Sequence, residues 1–248
     1  MFTGGRPTVN QARPGKSTIA RVLGALGSAL APPQCVLCDQ LGLPGPIDLC
    51  GACLADLPRP ARDDSFLADA FELVCCPWSF DFPVDALVRT LKFRGERAHA
   101  RILGTLLARE RWRDAAPLPH RVVPVPLHPS RLRQRGFNQA AELARFAARE
   151  LALPLEQRAL CRPRATREQT ALGSVERAAN VHHAFAATGP LHDARVALVD
   201  DVVTTGSTVR AAAAALRAAG AGAIELWVAA RVPLRRESSF GTGSVRHE

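Results

Sequence analysis

From Val84 onward the apolar residues fall into two patterns, helical spacing and short unbroken runs, and their order predicts the architecture. Val84, Leu87, Val88 and Leu91 share one helical face, Ile102, Leu103, Leu106 and Leu107 another, and Lys92-Phe-Arg-Gly95 separates the two helices with a glycine. The run Val122 to Leu127 reads as a buried strand. Its Pro124 and Pro126 argue against a fully paired central position, so the strand is expected to end in a special turn. A further helix begins near Asn138, with Leu143, Phe146, Ala147 and Leu151 on one face. The last third predicts a strand over Arg195–Val199, an Ala-rich helix over Thr208–Ala219 closed by Gly220, and a strand over Ala223–Ala229. Strand, helix, strand in that order implies parallel pairing through a right-handed crossover. The expected fold is therefore α/β, a parallel sheet flanked by helices over residues 72–234, with a loose polar tail over 237–248.

The amino-terminal part has a different texture. Arg6, Arg13 and Lys16 precede an apolar stretch, Ile19 to Ala31, much as in an export signal, but Arg21 interrupts it. Val22, Leu23, Leu26 and Leu30 fit one face of a short helix, so residues 1–31 are read as an N-terminal helical segment of a cytoplasmic protein. Gly15-Lys16-Ser17 would close a phosphate-binding P-loop only with glycine at position 10, where Asn10 stands.

Residues 32–60 hold Cys35-Val-Leu-Cys38 and, eleven residues further on, Cys50-Gly-Ala-Cys53, joined through Gly42, Pro44, Gly45 and Pro46. Two such pairs can place four thiolates around one Zn²⁺; the alternatives are a pair of disulfides or four unliganded thiols. The weak export signal favours the metal. With no open coordination position, the zinc would be structural, organising a segment too small for a core of its own. Cys75, Cys76 and Cys161 are assigned no function.

The candidate chemistry lies in Val196-Ala-Leu-Val-Asp200-Asp201-Val-Val-Thr204-Thr205-Gly206-Ser207-Thr208. Ligands of open parallel sheets collect beyond the carboxyl ends of strands. A loop of small hydroxyl residues entering a helix offers unpaired backbone N–H groups and the positive end of the helix dipole, which suits a phosphate monoester. Gly206 allows close approach, and Thr205, Ser207 and Thr208 add hydroxyl donors. Asp200 and Asp201 accept hydrogen bonds only, which suits a ribose diol. A phosphate grip beside a diol grip describes a ribose 5-phosphate; the plainer alternative is a solvated strand end followed by a helix cap.

This stretch closely resembles the phosphoribosyl pyrophosphate (PRPP) motif of type I phosphoribosyltransferases. Together with Val123-Pro-Val-Pro-Leu-His128, Arg135-Gly-Phe-Asn-Gln139, Arg167-Glu-Gln169, Arg177-Ala-Ala-Asn180 and the four cysteines, it is similar to the ComF/GntX family from about Pro33 to Arg231. The resemblance implies a type I phosphoribosyltransferase-like sheet with a small N-terminal zinc module. It also implies PRPP, or another phosphorylated ribose, at Asp200, Asp201, Thr204, Thr205, Gly206, Ser207 and Thr208, with Mg²⁺ accompanying it. By analogy with glutamine PRPP amidotransferases, the turn Leu127–Arg131 would face pyrophosphate and Arg162–Gln169 would form a mobile cover. The anion candidates are His128, Arg131, Arg135 and Arg167. The family association is with natural competence, hence imported single-stranded DNA and the competence machinery as partners. The module is short beside those of many family members, so one zinc is expected. Three readings stay open: a PRPP-binding protein of competence, an active phosphoribosyltransferase of nucleotide metabolism or salvage with an unknown acceptor, and a zinc module that does all the partner recognition. No residue identifies itself as a general base.

Composition then narrows the picture. At 248 residues and 47% apolar the chain can bury a substantial core, and no apolar run approaches the ~20 residues that span a bilayer. Its 32 basic residues are 30 Arg and 2 Lys, Lys16 and Lys92, a ratio that reads as coding bias. The net charge of +9 is unevenly placed: residues 84–170 carry 18 Arg and Lys against 8 Asp and Glu. That clustering predicts an anion-binding face.

Overall fold

The computed structural model describes residues 33–60, 67–163 and 184–233. The expected N-terminal helix, Arg167 with most of the proposed cover, and the C-terminal tail lie outside the described residues.

The chain order begins with a short helix α1 (Gly51–Ala55) and two short strands, β1 (Leu73–Cys75) and β2 (Trp78–Ser79). Helices α2 (Val84–Arg94) and α3 (Arg97–Arg113) follow, then β3 (Arg121–Pro124), α4 (Pro129–Arg135) and α5 (Gln139–Leu151). A two-stranded antiparallel pair, β4 (Leu160–Cys161) and β5 (Ala186–Ala187), precedes β6 (Arg195–Val203), α6 (Ser207–Ala218) and β7 (Ala223–Arg231). The main sheet is parallel throughout, in the order β1-β7-β6-β3, with β2 also pairing β7.

Alternation along the strands sends side chains to two cores. Ala197, Val199, Trp227 and Ala229 meet Leu87, Val88, Leu103, Leu107, Leu143 and Ala147 of α2, α3 and α5. Val196, Leu198, Leu226 and Val228 meet Val209, Ala212, Ala213 and Leu216 of α6. The predicted apolar faces are thus the buried ones, except that Phe146 and Leu151 of α5 are only half-buried while Ala140, Ala144 and Ala148 are buried in their stead. Helices α3 and α5 pack closely at Gly104, where a Cβ would lie 2.5 Å from the Leu143 carbonyl oxygen.

The cysteine segment shares the first core rather than standing apart. Cys35, Ile47, Leu49 and Leu57 are buried in the same cluster as α2 and α3, and Asp48 pairs with Arg101 of α3. Beneath the sheet, Arg111 and Glu225 form a buried ion pair, Nε to Oε2 at 2.7 Å and Nη2 to Oε1 at 3.0 Å, with the Trp227 indole N–H also donating to Glu225.

Three predicted boundaries need correction. The β3 strand stops at Pro124, since Pro126 has no N–H to continue a ladder, although Val125 still donates to the Val199 carbonyl. Where a turn was expected over Leu127–Arg131, residues 129–135 form α4: Pro129 fits the first helical turn, and His128 accepts from the Ser130 N–H as its cap. The β6 strand runs four residues past Val199, because Val202 and Val203 carry the pairing with β7 beyond the carboxylates.

Candidate functional site

The mismatch in strand length builds the site. Pairing of β3 with β6 ends at Pro124 and Val199, whereas β6 continues beside β7 to Val203. Asp200 and Asp201 therefore occupy the overhang, bounded by the chain that follows β3. Their exposures are only 9% and 4%, far below those of a solvated strand end.

Strand alternation turns consecutive side chains to opposite faces, and the contacts agree. Asp201 faces α2 and α5: its Oδ2 lies 2.5 Å from Lys92 Nζ, and Gln139 Nε2 donates to its Oδ1 over 3.5 Å. Arg135 in turn donates through Nη1 to Gln139 Oε1 at 2.7 Å, so one anion candidate is tied to Asp201 through a single amide. Asp200 faces the other way and accepts from the Asp201 N–H at 2.9 Å. Burial, and next the neighbouring Asp201 charge, push the Asp200 carboxyl well above its ordinary range; the positive charge of Lys92 opposes them.

On that second side stands Arg162, just beyond β4, its guanidinium 5.1 Å from the Phe185 ring centre. Burial and then the charge of Arg131 hold its pKa below the ordinary guanidinium range, with Asp200 acting in the opposite sense. An anion placed among these charges would ease the repulsion between Arg162 and Arg131.

The loop between β6 and α6 leads directly from the overhang. Thr204 and Thr205 are exposed, Gly206 is buried with φ +78°, and Ser207 and Thr208 open α6. A side chain at Gly206 would be strained by that left-handed backbone, which turns the loop into the helix. Thr205 Oγ1 donates to Ser207 Oγ at 3.2 Å, folding the hydroxyls together. A twelve-residue helix starts here, so its first N–H groups point into the same space.

His128 serves α4 as a cap: its Nδ1 accepts from the Ser130 N–H at 3.2 Å and lies 2.7 Å from Ser130 Oγ. Arg131 and Arg135 both ride on α4. Together with Lys92, Phe93, Arg94 and Phe137 they line a cleft of about 560 Å³.

Lys92, Gln139 and Arg162 had no assigned part in the sequence reading beyond Arg162 opening the proposed cover. Lys92 did carry a signal: in a chain that uses Arg 30 times, one of its two lysines meets the buried carboxylate. The basic cluster also proves less uniform than its count. Arg101, Arg109, Arg111, Arg121 and Arg145 are each paired with a carboxylate away from this cleft.

The four cysteines converge as their spacing predicted. All four Sγ atoms lie within 4.8 Å of one another, and Cys38 and Cys50 Sγ are 3.6 Å apart. Tetrahedral metal–thiolate bonds of ~2.3 Å would separate sulfurs by ~3.8 Å, so the set fits one metal ion. Burial opposes ionisation of Cys35, yet backbone N–H groups of Cys50, Leu37 and Cys38 bring its pKa down to about 6. No helix among the described residues is long and apolar enough to cross a membrane.

Comparison with known proteins agrees with this architecture. A family model described as the phosphoribosyl transferase domain matches residues 138–239. DNA utilization protein YhgH of Salmonella typhi is 35% identical over 201 residues, covering 79% of this chain and 84% of its own length. Competence protein F of Haemophilus influenzae is 33% identical over 156 residues, 60% of this chain and 68% of its own. Among solved structures, glutamine PRPP amidotransferase from B. subtilis is 24% identical and covers 51% of this chain and 25% of its own, with a TM-score of 0.35, an overlap too loose to bear on the site. With a phosphoribosyl transferase domain over its second half and a relative matched across most of both lengths, the chain belongs to the ComF family.

Proposed function

We propose that the protein is a PRPP-binding, phosphoribosyltransferase-like protein that acts in the handling of imported single-stranded DNA. One observation carries the ligand: buried carboxylates in a strand overhang run straight into a positive-φ glycine loop at the start of a twelve-residue helix. In this reading Asp200 and Asp201 serve the ribose. Thr204, Thr205, Gly206, Ser207 and Thr208 hold the 5-phosphate, and His128, Arg131, Arg135 and Arg167 serve the pyrophosphate. Arg162 joins that group as a further cation, one that feels the charges of Arg131 and Asp200. The names of the relatives, DNA utilization and competence, support the DNA side.

Mg²⁺ would travel with the pyrophosphate rather than on the acidic pair, since Lys92 already neutralises Asp201. When bound it supplies charge neutralisation of the leaving group. The four thiolates suit zinc over harder cations, in a structural role. The reading treats residues 32–60 as the zinc module and 72–234 as the phosphoribosyltransferase-like domain of a cytoplasmic protein.

Calorimetric titration with PRPP and Mg²⁺ tests the ligand: saturable binding is expected, lost in Asp200→Ala. No saturable heat with the wild-type protein would overturn it. Pyrophosphate release in the presence of a base or amine acceptor would move the reading to an active transferase.

A further inference from the structure

Phe93 stands on the last turn of α2 and is 79% exposed, although Val84, Leu87, Val88 and Leu91 of the same helix are all buried. Its ring has no part in the core. The Arg135 guanidinium lies 5.9 Å from its centre, and both line the cleft between α2 and α4. Arg94 and Arg131 add positive charge, Phe137 adds a second ring, and no carboxylate lines the cleft among the described residues. Gly95, at φ +69°, closes α2 and presses the turn against Phe137, whose ring would lie 3.7 Å from any Cβ there.

Flat apolar rings interleaved with guanidinium groups complement a ligand that has a π face and a phosphate. In a duplex the faces of the bases are hidden by stacking; in a single strand they are available. We propose that this cleft holds a nucleotide of a single-stranded nucleic acid, its base against Phe93 and its phosphate against Arg94. The cleft adjoins the acidic pair through Lys92 and through Arg135 and Gln139, both of which lead to Asp201. A strand seated there would lie beside the phosphorylated ribose; this placement rests on the PRPP reading above.

The test uses the full-length, metal-loaded protein and a fluorescent oligothymidylate, with anisotropy read over a salt series. Wild type is expected to bind, Phe93→Ala to weaken binding about tenfold, Phe93→Leu to weaken it similarly, and Phe93→Trp to keep it, because stacking needs a ring. Arg94→Gln should lower the salt slope by about one. Phe93 is exposed, so Phe93→Ala should melt with wild type and bind PRPP unchanged. Undiminished binding in Phe93→Ala, equal binding by Phe93→Leu and wild type, or no binding by wild type overturns the proposal. So does a thymidine mononucleotide that competes at the oligonucleotide's own affinity, which would make the cleft a mononucleotide site. Sedimentation showing Phe93-dependent self-association instead of oligonucleotide binding overturns it in favour of a second copy. The two readings separate cleanly: Phe93-dependent oligonucleotide binding without PRPP binding sinks the PRPP reading alone, and the reverse pattern sinks this one.

Discussion

Replacing Lys92 with methionine keeps most of the aliphatic stem and removes only the charge, so it isolates what the ammonium does for Asp201. Deleting one partner of a fully buried pair costs about 3–5 kcal/mol, and exposed pairs are worth only about 0.2–1 kcal/mol. The Asp201 side chain is 5% exposed and that of Lys92 22%, so this pair falls between those limits. We expect a loss of about 2–3 kcal/mol, since screening at the lysine reduces the larger figure. For chains of this size that lowers the melting temperature by roughly 5–10 °C. The double variant Lys92→Met with Asp201→Asn should recover most of the loss, because a neutral amide no longer needs a cation, and the double-mutant cycle should show coupling near 2 kcal/mol. Urea unfolding at pH 7.5 gives the free energies. If Lys92→Met unfolds within about 0.5 kcal/mol of wild type, or the single effects simply add, Lys92 is a solvated side chain and the argument from its contact with Asp201 fails.

Three further outcomes are expected. Asp200→Asn should stabilise the protein at neutral pH: the Asp200 carboxyl is raised, by burial first and Asp201 second, so above an unfolded value of about 3.9 the unfolded chain ionises before the native one and stability falls as pH rises. Thermal melts should show a gain at pH 7–8 that shrinks toward pH 4, and parallel pH profiles for the two proteins would contradict this. Arg111→Met strands the buried Glu225 and should cost about 3–5 kcal/mol in urea, partly restored by adding Glu225→Gln; a loss under about 1 kcal/mol would count against the buried pairing. Chelation of the cysteine site should depress the melting temperature and alter the near-ultraviolet signal of Trp78, which shares a core with Cys35, Leu49 and Leu57. Metal analysis should give one ion per chain, and an unchanged melt after its removal would detach the site from the core.

The helices α2, α3 and α5 were legible because their apolar residues keep a helical period, and β6, α6 and β7 because a strand, a glycine loop and a capped helix each leave a local mark. Four cysteines at paired spacing marked their own meeting point. Helix α4 was not legible: seven residues whose large apolar member, Leu132, is 42% exposed show no periodic face. The strands β1 and β2, three and two residues long around Cys76 and Pro77, exist through their pairing with β7 rather than through any pattern of their own. Asp200 and Asp201 looked like a strand's end because carboxylates disfavour strands locally; Val202 and Val203 override that preference by pairing with β7. Once the strand is known to run on to Val203, alternation alone puts the two carboxylates on opposite faces; the choice of Lys92 as partner for Asp201 depends on tertiary packing that no spacing along the chain encodes.

The pairing of β1 with β7 also governs how this protein comes to be made. Leu73 meets Glu225, a partner 152 residues further along the chain. On the ribosome the first strand must therefore wait until the last has emerged. The cysteine segment and the α2–α3 pair, built from nearer neighbours, can assemble earlier but present an uncovered apolar face until the sheet arrives. Such distant pairing slows folding and leaves aggregation-prone surface open meanwhile. Synthesis halted before β7 should yield a chain that remains bound by chaperones, since its first core then lacks Trp227, Ala229 and Ala230 and only β3 and β6 are there to close it.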